Sequence, residues 1–152
     1  MRSRLNTPSV GSSVEGVRAV LDVNVLISAI LSPGGSPARL LLAWETGAFE
    51  LIVSPKLLAE LARALAYSKI RRLVPAADAD TFVAWLERSA TLARDPNGPL
   101  PVRSVDPGDD YLIAVAADQR ATLVSGDRHL LVLVGDFPVL TPASFLAMLA
   151  LR

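Results

Sequence analysis

Apolar and polar positions divide the chain into short apolar runs and longer amphipathic segments. The apolar runs are rich in Val, Leu and Ile and predict buried strands at residues 17–21, 49–53, 121–124 and 138–140. Residues 90–93 predict a further, short edge strand. The other segments have helical spacing, and they predict helices over residues 24–31, 37–45, 55–67, 76–88, 107–119, 128–132 and from 142 onward.

Capping pairs support several of these helix starts. Ser36-Pro37, Ser54-Pro55, Asp106-Pro107 and Thr141-Pro142 each predict an N-cap residue followed by proline as the first helical residue. Strands thus alternate with helices, which is typical of a mainly parallel sheet covered on both faces. We expect one three-layer α/β/α domain over residues 17–152, preceded by a flexible leader over residues 1–16.

Composition narrows the class of protein. Hydrophobic residues make up 51% of the 152 residues and charged residues 20%, which favours a folded domain. The absence of cysteine excludes disulfides and thiolate metal sites. There is neither an apolar run long enough to span a membrane nor a secretory signal pattern, so we expect a cytoplasmic protein. The 15 basic and 15 acidic residues balance, so nucleic acid binding would need a local patch.

Two aspartates follow predicted strands. Asp22 ends the first strand and Asp127 lies in the turn after the strand at residues 121–124. Ligands bind at the carboxyl ends of strands in parallel sheets, so both carboxylates are candidate ligands. Each is equally explained as an N-cap or turn residue. Asn24 could orient the first carboxylate.

Acids on predicted helices give the remaining candidates. Glu60 borders the apolar stripe of its helix, where a glutamate is costly to bury unless it is paired or binds a cation. A surface ion pair with Lys56 or Arg63 is the ordinary alternative. Asp109 and Asp110 lie in a first helical turn, where acids complement the helix dipole. Asp110 shares a face with apolar residues and is expected to point inward, whereas its neighbour is the better capping candidate.

Taken together, the acids predict a metal site. Carboxylates gathered in one pocket repel each other unless a hard cation neutralises them. Oxygen ligands without cysteine, and with one histidine in the chain, favour Mg²⁺ or Mn²⁺ over zinc. Such ions can activate water for phosphodiester hydrolysis. The candidate ligands are Asp22, Glu60, Asp110 and Asp127.

Four ordered segments of the chain resemble the PIN-domain ribonucleases, especially the VapC-like toxin components of toxin–antitoxin pairs. They are VLDVNVLISA (20–29), SPKLLAEL (54–61), DPGDDYLIAVA (106–116) and LVSGDRHL (123–130). The resemblance covers the chain from about Val17 onward. It implies a PIN-like fold, a single-stranded RNA substrate, dependence on Mg²⁺ or Mn²⁺, homodimerisation and inhibition by a cognate antitoxin.

The same resemblance assigns site residues. It implies metal ligation by Asp22, Glu60 and Asp110, with Asp127 as the fourth acid. Many relatives have a hydroxyl residue directly after the first aspartate, whereas this chain has Val23. The carboxylates would then have to be oriented by Asn24 or Ser125.

Basic residues are candidates for contacts with RNA phosphates. They are Arg39, Lys69, Arg71, Arg72 and Arg128, of which only the group at residues 69–72 is a local cluster. A solvated charged surface explains each of them as well. His129 is expected to face solvent from its helix and not to act as a general base.

Two other functions stay open. A PIN-like module could bind RNA or a partner protein without cleaving, and Val23 favours this alternative. A phosphoryl-accepting receiver domain would need paired acids after the first strand and a lysine after a late strand. The two lysines are Lys56 and Lys69, so the sequence argues against a receiver domain.

Overall fold

Five short strands form the central sheet. They are Arg18–Leu21 (β1), Glu50–Val53 (β2), Thr91–Leu92 (β3), Thr122–Val124 (β4) and Val139–Leu140 (β5). Their order is β3-β2-β1-β4-β5, and every neighbouring pair is parallel. The predicted parallel sheet and the predicted edge strand are therefore confirmed. The chain builds outward from β1 on one side and then returns to its other side, so the strand order reverses between β1 and β4.

Helices cover both faces of the sheet, as predicted for a three-layer α/β/α fold. They are Val23–Leu31 (α1), Ser36–Glu45 (α2), Pro55–Leu65 (α3), Ser68–Arg71 (α4), Ala76–Ser89 (α5), Asp110–Asp118 (α6), Arg128–Leu131 (α7) and Pro142–Ala150 (α8). A 3₁₀ turn over Pro107–Asp109 leads into α6.

The computed structural model describes residues 16–98, 100, 107–131 and 138–152, without the side chains of Pro107, Arg128 and His129. Residues 1–15 of the predicted leader, the predicted cap Asp106 and the predicted helix end at residue 132 lie outside these ranges. Within them, no individual helix has both the length and the apolar character to cross a membrane. The bent pair α1 and α2, at 97°, meets that criterion only when both are counted together.

Several helix boundaries differ from the sequence prediction, and α4 was not predicted. The start of α2 and the end of α3 have a clear physical reason. Gly35, and not Ser36, is the N-cap of α2, because the carbonyl of Gly35 accepts the first helical hydrogen bond from the Arg39 N–H at 3.1 Å. α3 ends at Leu65, before the predicted end at residue 67. There the guanidinium of Arg71 donates to the Leu65 carbonyl at 3.3 Å, which satisfies an acceptor that the helix itself leaves open.

The three central strands are buried on both faces. Ala19–Leu21, Leu51–Val53 and Leu123–Val124 are all buried, which explains why these strands read as continuous apolar runs. A polar residue follows each run, and these residues lie together at the carboxyl edge of the sheet, because the strands are parallel.

The amino edge of the sheet holds a charged network. Nε of Arg18 donates to Glu50 Oε1 at 2.9 Å, and its Nη atoms donate to the backbone and side-chain oxygens of Gln119. The hydroxyl of Thr91 donates to Glu50 Oε2 at 2.6 Å. The network therefore joins the first residues of β1, β2 and β3 to the end of α6.

Candidate functional site

Three polar residues are buried among those the structure describes: Asp22, Ser54 and Ser125. They directly follow β1, β2 and β4, so all three lie at the carboxyl edge of the sheet. Ser54 has a structural role, because its Oγ accepts the Leu57 N–H at 3.2 Å and caps α3. Asp22 and Ser125 remain, and they flank the point where the strand order reverses.

Asp22 is held by its neighbours in a fixed orientation. It is the N-cap of α1, and its Oδ1 accepts a long hydrogen bond of 3.4 Å from the Asn24 N–H. The Ser125 hydroxyl donates to Asp22 Oδ2 at 2.7 Å, and Ser125 Oγ in turn accepts the Asp127 N–H at 2.9 Å. Ser125 thus orients the first carboxylate, a role the sequence left between it and Asn24.

The charge of Asp22 is poorly compensated. Burial raises the pKa of its carboxyl above the ordinary value of 3.8, and the negative charge of Asp127 adds to the increase. The hydrogen bonds from Ser125 and Asn24 act in the opposite direction but do not cancel it. A buried carboxylate with a raised pKa favours either a proton or a bound cation.

A cavity of about 170 Å³ opens beside Asp22, and we call it the acid cavity. Its lining includes Glu60 of α3, Asp109 of the 3₁₀ turn and Tyr111 of α6. Glu60 forms an ion pair with Arg63, which also lines the cavity. The ordinary surface ion pair expected for Glu60 is therefore present, at the rim of the same cavity.

The two acids of the α6 region differ in position. Asp109 lines the acid cavity, whereas the buried residues of α6 are Leu112, Ile113, Val115 and Ala116. Asp110 is half-buried and lies beside that apolar face. Asp109, which was expected only to cap the helix, is thus the acid that lines the cavity.

Asp127 borders a second cavity. This cavity has a volume of about 370 Å³, and its lining includes Pro37 and Pro142, so we call it the proline cavity. Asn24 lines both cavities. Asp127 acts on Asp22 through its charge, and its N–H donates to the same Ser125 hydroxyl that donates to Asp22.

Asp95 was not among the residues predicted for the site, and its contact with Lys56 was not predicted either. Asp95 follows β3, and its Oδ2 accepts the Lys56 N–H at 2.8 Å. Its Oδ1 is buried without a hydrogen-bond partner among the described residues. Because β3 has only two residues, the sequence pattern placed Asp95 in a loop and did not mark it as an acid at a strand end.

Tyr111 is the second residue that the sequence argument missed. The Lys56 ammonium lies 5.0 Å from the centre of its ring. Burial raises the pKa of Tyr111, and the nearby charges of Asp22, Glu60, Asp109 and Asp95 raise it further. The phenol therefore stays protonated, and its hydroxyl can donate a hydrogen bond among the surrounding acidic side chains.

The chemical type of the acidic side chains suits a hard divalent cation, but their positions do not bring enough of them together. Carboxylate oxygens are the ligands that Mg²⁺ and Mn²⁺ prefer, and the buried Oδ1 of Asp95 lacks a partner in the described part of the chain. However, no group of three or more Asp, Glu or His side chains within the described ranges is close enough to hold one ion. The expected convergence of four acids is therefore only partial in this arrangement.

The predicted RNA-contacting residues are spread over the surface. Arg39, Lys69 and Arg72 are exposed, whereas Arg71 is half-buried and donates to the end of α3. The side chains of Arg128 and His129 lie outside the description. Lys56 is exposed and lies in the first turn of α3, the helix that also contains Glu60. The predicted basic cluster at residues 69–72 lies beyond the end of that helix.

Known proteins share this fold. The chain is 30% identical over 119 residues to the uncharacterized protein MJ1680 of Methanocaldococcus jannaschii, covering 76% of this chain and 74% of that protein. The structure of PAE2754 from Pyrobaculum aerophilum matches with a TM-score of 0.63 and 23% identity, over 90% of this chain and 91% of that one. FitAcB from Neisseria gonorrhoeae matches with a TM-score of 0.53 and 21% identity, over 82% and 98%.

A family model described as the PIN domain matches residues 18–129. The matched range contains Asp22, Glu60, Asp109, Asp110 and Asp127, together with β1 to β4. PIN domains are in general a nuclease fold, and their nucleases typically use divalent metals. Since the match spans well over half of the sequence, this chain belongs to the PIN-domain family.

Proposed function

We propose that this protein is a metal-dependent endoribonuclease that hydrolyses phosphodiester bonds in single-stranded RNA. One observation carries the proposal: the buried carboxylate of Asp22 lies where the strand order reverses, with a raised pKa and further acids around it. Buried acids with perturbed pKa values in a cleft are typical of functional sites. Membership of the PIN-domain family gives this site a nuclease context.

The proposed ligands of Mg²⁺ or Mn²⁺ are Asp22, Glu60, Asp110 and Asp127. Asp109 is an additional candidate, because it lines the acid cavity. A bound divalent ion would supply activation of water and stabilisation of the leaving oxygen. The chain itself supplies orientation: Ser125 fixes the Asp22 carboxylate, and the Tyr111 hydroxyl is available as a hydrogen-bond donor.

Lys56 is the proposed contact for an RNA phosphate next to the acids. Its ammonium lies against the Tyr111 ring, and among the described residues it forms no ion pair. A cation in this position would offset the repulsion between the phosphate and the carboxylates. The sequence-predicted contacts, namely Arg39, Lys69, Arg71, Arg72 and Arg128, remain more distant proposals.

We further propose that the protein is the toxin of a toxin–antitoxin pair, that it acts in the cytoplasm as a homodimer, and that a cognate antitoxin inhibits it. The resemblance of four sequence segments to VapC-like proteins supports these proposals. A small reading frame for a DNA-binding protein directly upstream in the genome would support the pairing.

The test is cleavage of fluorescent single-stranded RNA in Mn²⁺ by the parent and by Asp22→Asn. Metal ligation contributes several kcal/mol to the transition state, so we expect at least about a 100-fold loss of rate. The melting temperature should stay level or rise, because a poorly compensated buried charge is removed. Equal rates for the parent and the variant would show that the assigned site is wrong.

Asp109→Asn and Asp110→Asn form a matched pair in the same assay. The proposed ligand set predicts a comparable loss for Asp110→Asn, whereas the cavity geometry predicts that Asp109→Asn also lowers the rate. The variant with the larger loss identifies the acid that acts in catalysis.

A second candidate is a PIN-like module that binds RNA or a partner protein without cleaving it. The Glu60–Arg63 ion pair favours this binding module, because Arg63 is paired with a carboxylate that a metal ion would need. Val23 favours it too, through the missing hydroxyl. Calorimetric titration with Mn²⁺ separates the two, because only the nuclease requires a metal site that is lost in Asp22→Asn.

A further inference from the structure

The proline cavity adjoins the acids but differs from them in chemistry. Its described lining consists of Asn24, Val25, Ser28, Pro37, Gly126, Asp127 and Pro142. The volume of about 370 Å³ falls at the lower end of the range of roughly 300–1,000 Å³ that is usual for small-molecule sites. The cavity is therefore large enough for a compact ring system.

The walls of this cavity suit a flat, uncharged ring. Pro37 and Pro142 come from the first turns of α2 and α8, and Val25 comes from α1, so apolar surface faces the cavity from three helices. Flipped or single-stranded bases are commonly held between such apolar side chains. Asp127 adds an acidic residue to the same lining.

Hydrogen-bonding groups lie at the same cavity. Asn24 and Ser28 are exposed and lie one helical turn apart on α1, where the amide and the hydroxyl can both face a ligand edge. Such groups read the edges of unpaired bases in RNA recognition. The combination of apolar walls and a polar edge is that of a base site.

The position of the cavity fits a strand of RNA that passes over the acids. Asn24 lines both cavities, so a ligand in the proline cavity would lie one side chain away from Asp22. A nucleotide flanking the cleaved bond must have its base close to the carboxylates. This cavity meets that requirement, because Asp127 lies in its lining and Asn24 connects it to the acid cavity.

We propose that the proline cavity binds one nucleobase of single-stranded RNA, next to the phosphodiester bond that is cut. This inference rests on the proposed ribonuclease function and adds to it a determinant of base preference. Ser28 and Asn24 contact the edge of the base, while the prolines and Val25 contact its faces.

Gly126 provides a direct way to fill the cavity. A Cβ atom added there meets no atom within 4 Å, and the backbone of Gly126 is not in the left-handed region. Gly126→Leu should therefore fold and occupy the cavity. Gly34 has the same open surroundings without lining the cavity, so Gly34→Leu is the matched control.

The first measurement is fluorescence anisotropy in EDTA with labelled ten-residue oligo(A), oligo(C) and oligo(U), and with an abasic ten-residue oligomer of the same charge. We expect the parent to bind at least one base-bearing oligomer about tenfold more tightly than the abasic one, which is near the lower end of the gain found for a base stacked on an aromatic side chain. Gly126→Leu should bind all of them as weakly as the parent binds the abasic oligomer. Gly34→Leu should match the parent.

The second measurement moves a single abasic nucleotide along a cleaved RNA in Mn²⁺. The rate should fall at one fixed position beside the cut, and Gly126→Leu should remove that dependence on position. If Gly126→Leu is unfolded by circular dichroism, Ser28→Tyr fills the cavity from the exposed face of α1 and gives the same expectation.

Two results would overturn the inference. One is equal binding of base-bearing and abasic oligomers by the parent, which includes no binding of either. The other is a base preference that survives both filling variants, which would show that the base binds outside this cavity. Neither result touches the ribonuclease proposal, since that depends on the loss of cleavage in Asp22→Asn.

Discussion

The two edges of the sheet treat their carboxylates in opposite ways. At the amino edge, burial alone would raise the pKa of Glu50, but hydrogen bonds from Thr91 and Arg18 bring it below the ordinary value of 4.5. At the carboxyl edge, Asp22 receives hydrogen bonds from Ser125 and Asn24 but no ion pair from a described residue, and its pKa is raised. One edge is built for stability, whereas the other retains charge that a ligand can use.

Among the residues that position Asp22, Ser125 gives the largest expected effect at the carboxyl edge. Ser125→Ala removes the hydroxyl that orients Asp22, and losses of partners behind metal ligands lower metal affinity or activity by about 10–100-fold. Calorimetry with Mn²⁺ and the RNA cleavage rate measure it. Ser54→Ala is the matched control, since it removes a helix cap worth about 1 kcal/mol but should leave the rate unchanged. Similar rates for both variants would mean that Ser125 has only a structural role.

Arg18 gives the largest expected effect at the amino edge. Arg18→Met removes its bonds to Glu50 and Gln119, and we expect the free energy of unfolding to fall by about 1–2 kcal/mol after allowing for solvent screening. Urea denaturation measures the change. RNA cleavage per folded molecule should be unaffected. A loss of cleavage without a loss of stability would contradict the division of roles between the two edges.

The pH dependence of stability should have opposite signs at the two edges. Because the folded state raises the pKa of Asp22, its charge destabilises the fold above that pKa, and the penalty disappears below about pH 3.8. In EDTA at neutral pH, Asp22→Asn should therefore raise the melting temperature by about 2–4 °C for each kcal/mol relieved. The gain should shrink as the pH falls.

Glu50→Gln should behave in the reverse way. The lowered pKa of Glu50 contributes stability above pH 4.5, and this contribution is lost as the pH falls through the folded-state pKa. The variant should melt below the parent at neutral pH, and the difference should close in acid. Melting curves of both variants from pH 3 to 7 test the pair; the same sign for both would refute the comparison.

Lys56 gives the smallest expected effect. If it binds one RNA phosphate, Lys56→Met should reduce the slope of log affinity against log salt by about 0.7, the value for one contact to a single strand. Anisotropy in EDTA at several salt concentrations measures this slope. Lys69→Met is the comparison. A reduced slope in Lys69→Met and an unchanged slope in Lys56→Met would indicate that the RNA binds over residues 69–72 and not over Tyr111.

The fold was accessible from sequence because its main signals are local. Apolar runs with a proline and a cap after them mark strand-to-helix junctions, and Ser54 and Thr141 cap their helices as predicted. Ser36 misled because serine is a frequent cap, whereas the helix geometry here begins one residue earlier, at Gly35.

The site was only partly accessible, because it depends on distance between segments. The sequence pattern placed Asp22 at a strand end, but it could not show that Ser125, 103 residues away, holds its carboxylate. It favoured Asp110 over Asp109 as the inward-pointing acid, whereas Asp109, at the end of a 3₁₀ turn, is the one that lines the cavity. Asp95 was missed because a two-residue strand leaves almost no apolar pattern.

The outermost strands, β3 and β5, contribute only two residues each. Such short edge strands have few unpaired backbone groups, so another chain that added a strand to the sheet would form few hydrogen bonds. Association with copies or inhibitors would then depend on helices and loops, where side chains set specificity. Assembly surfaces can therefore change in sequence while the strand framework stays constant.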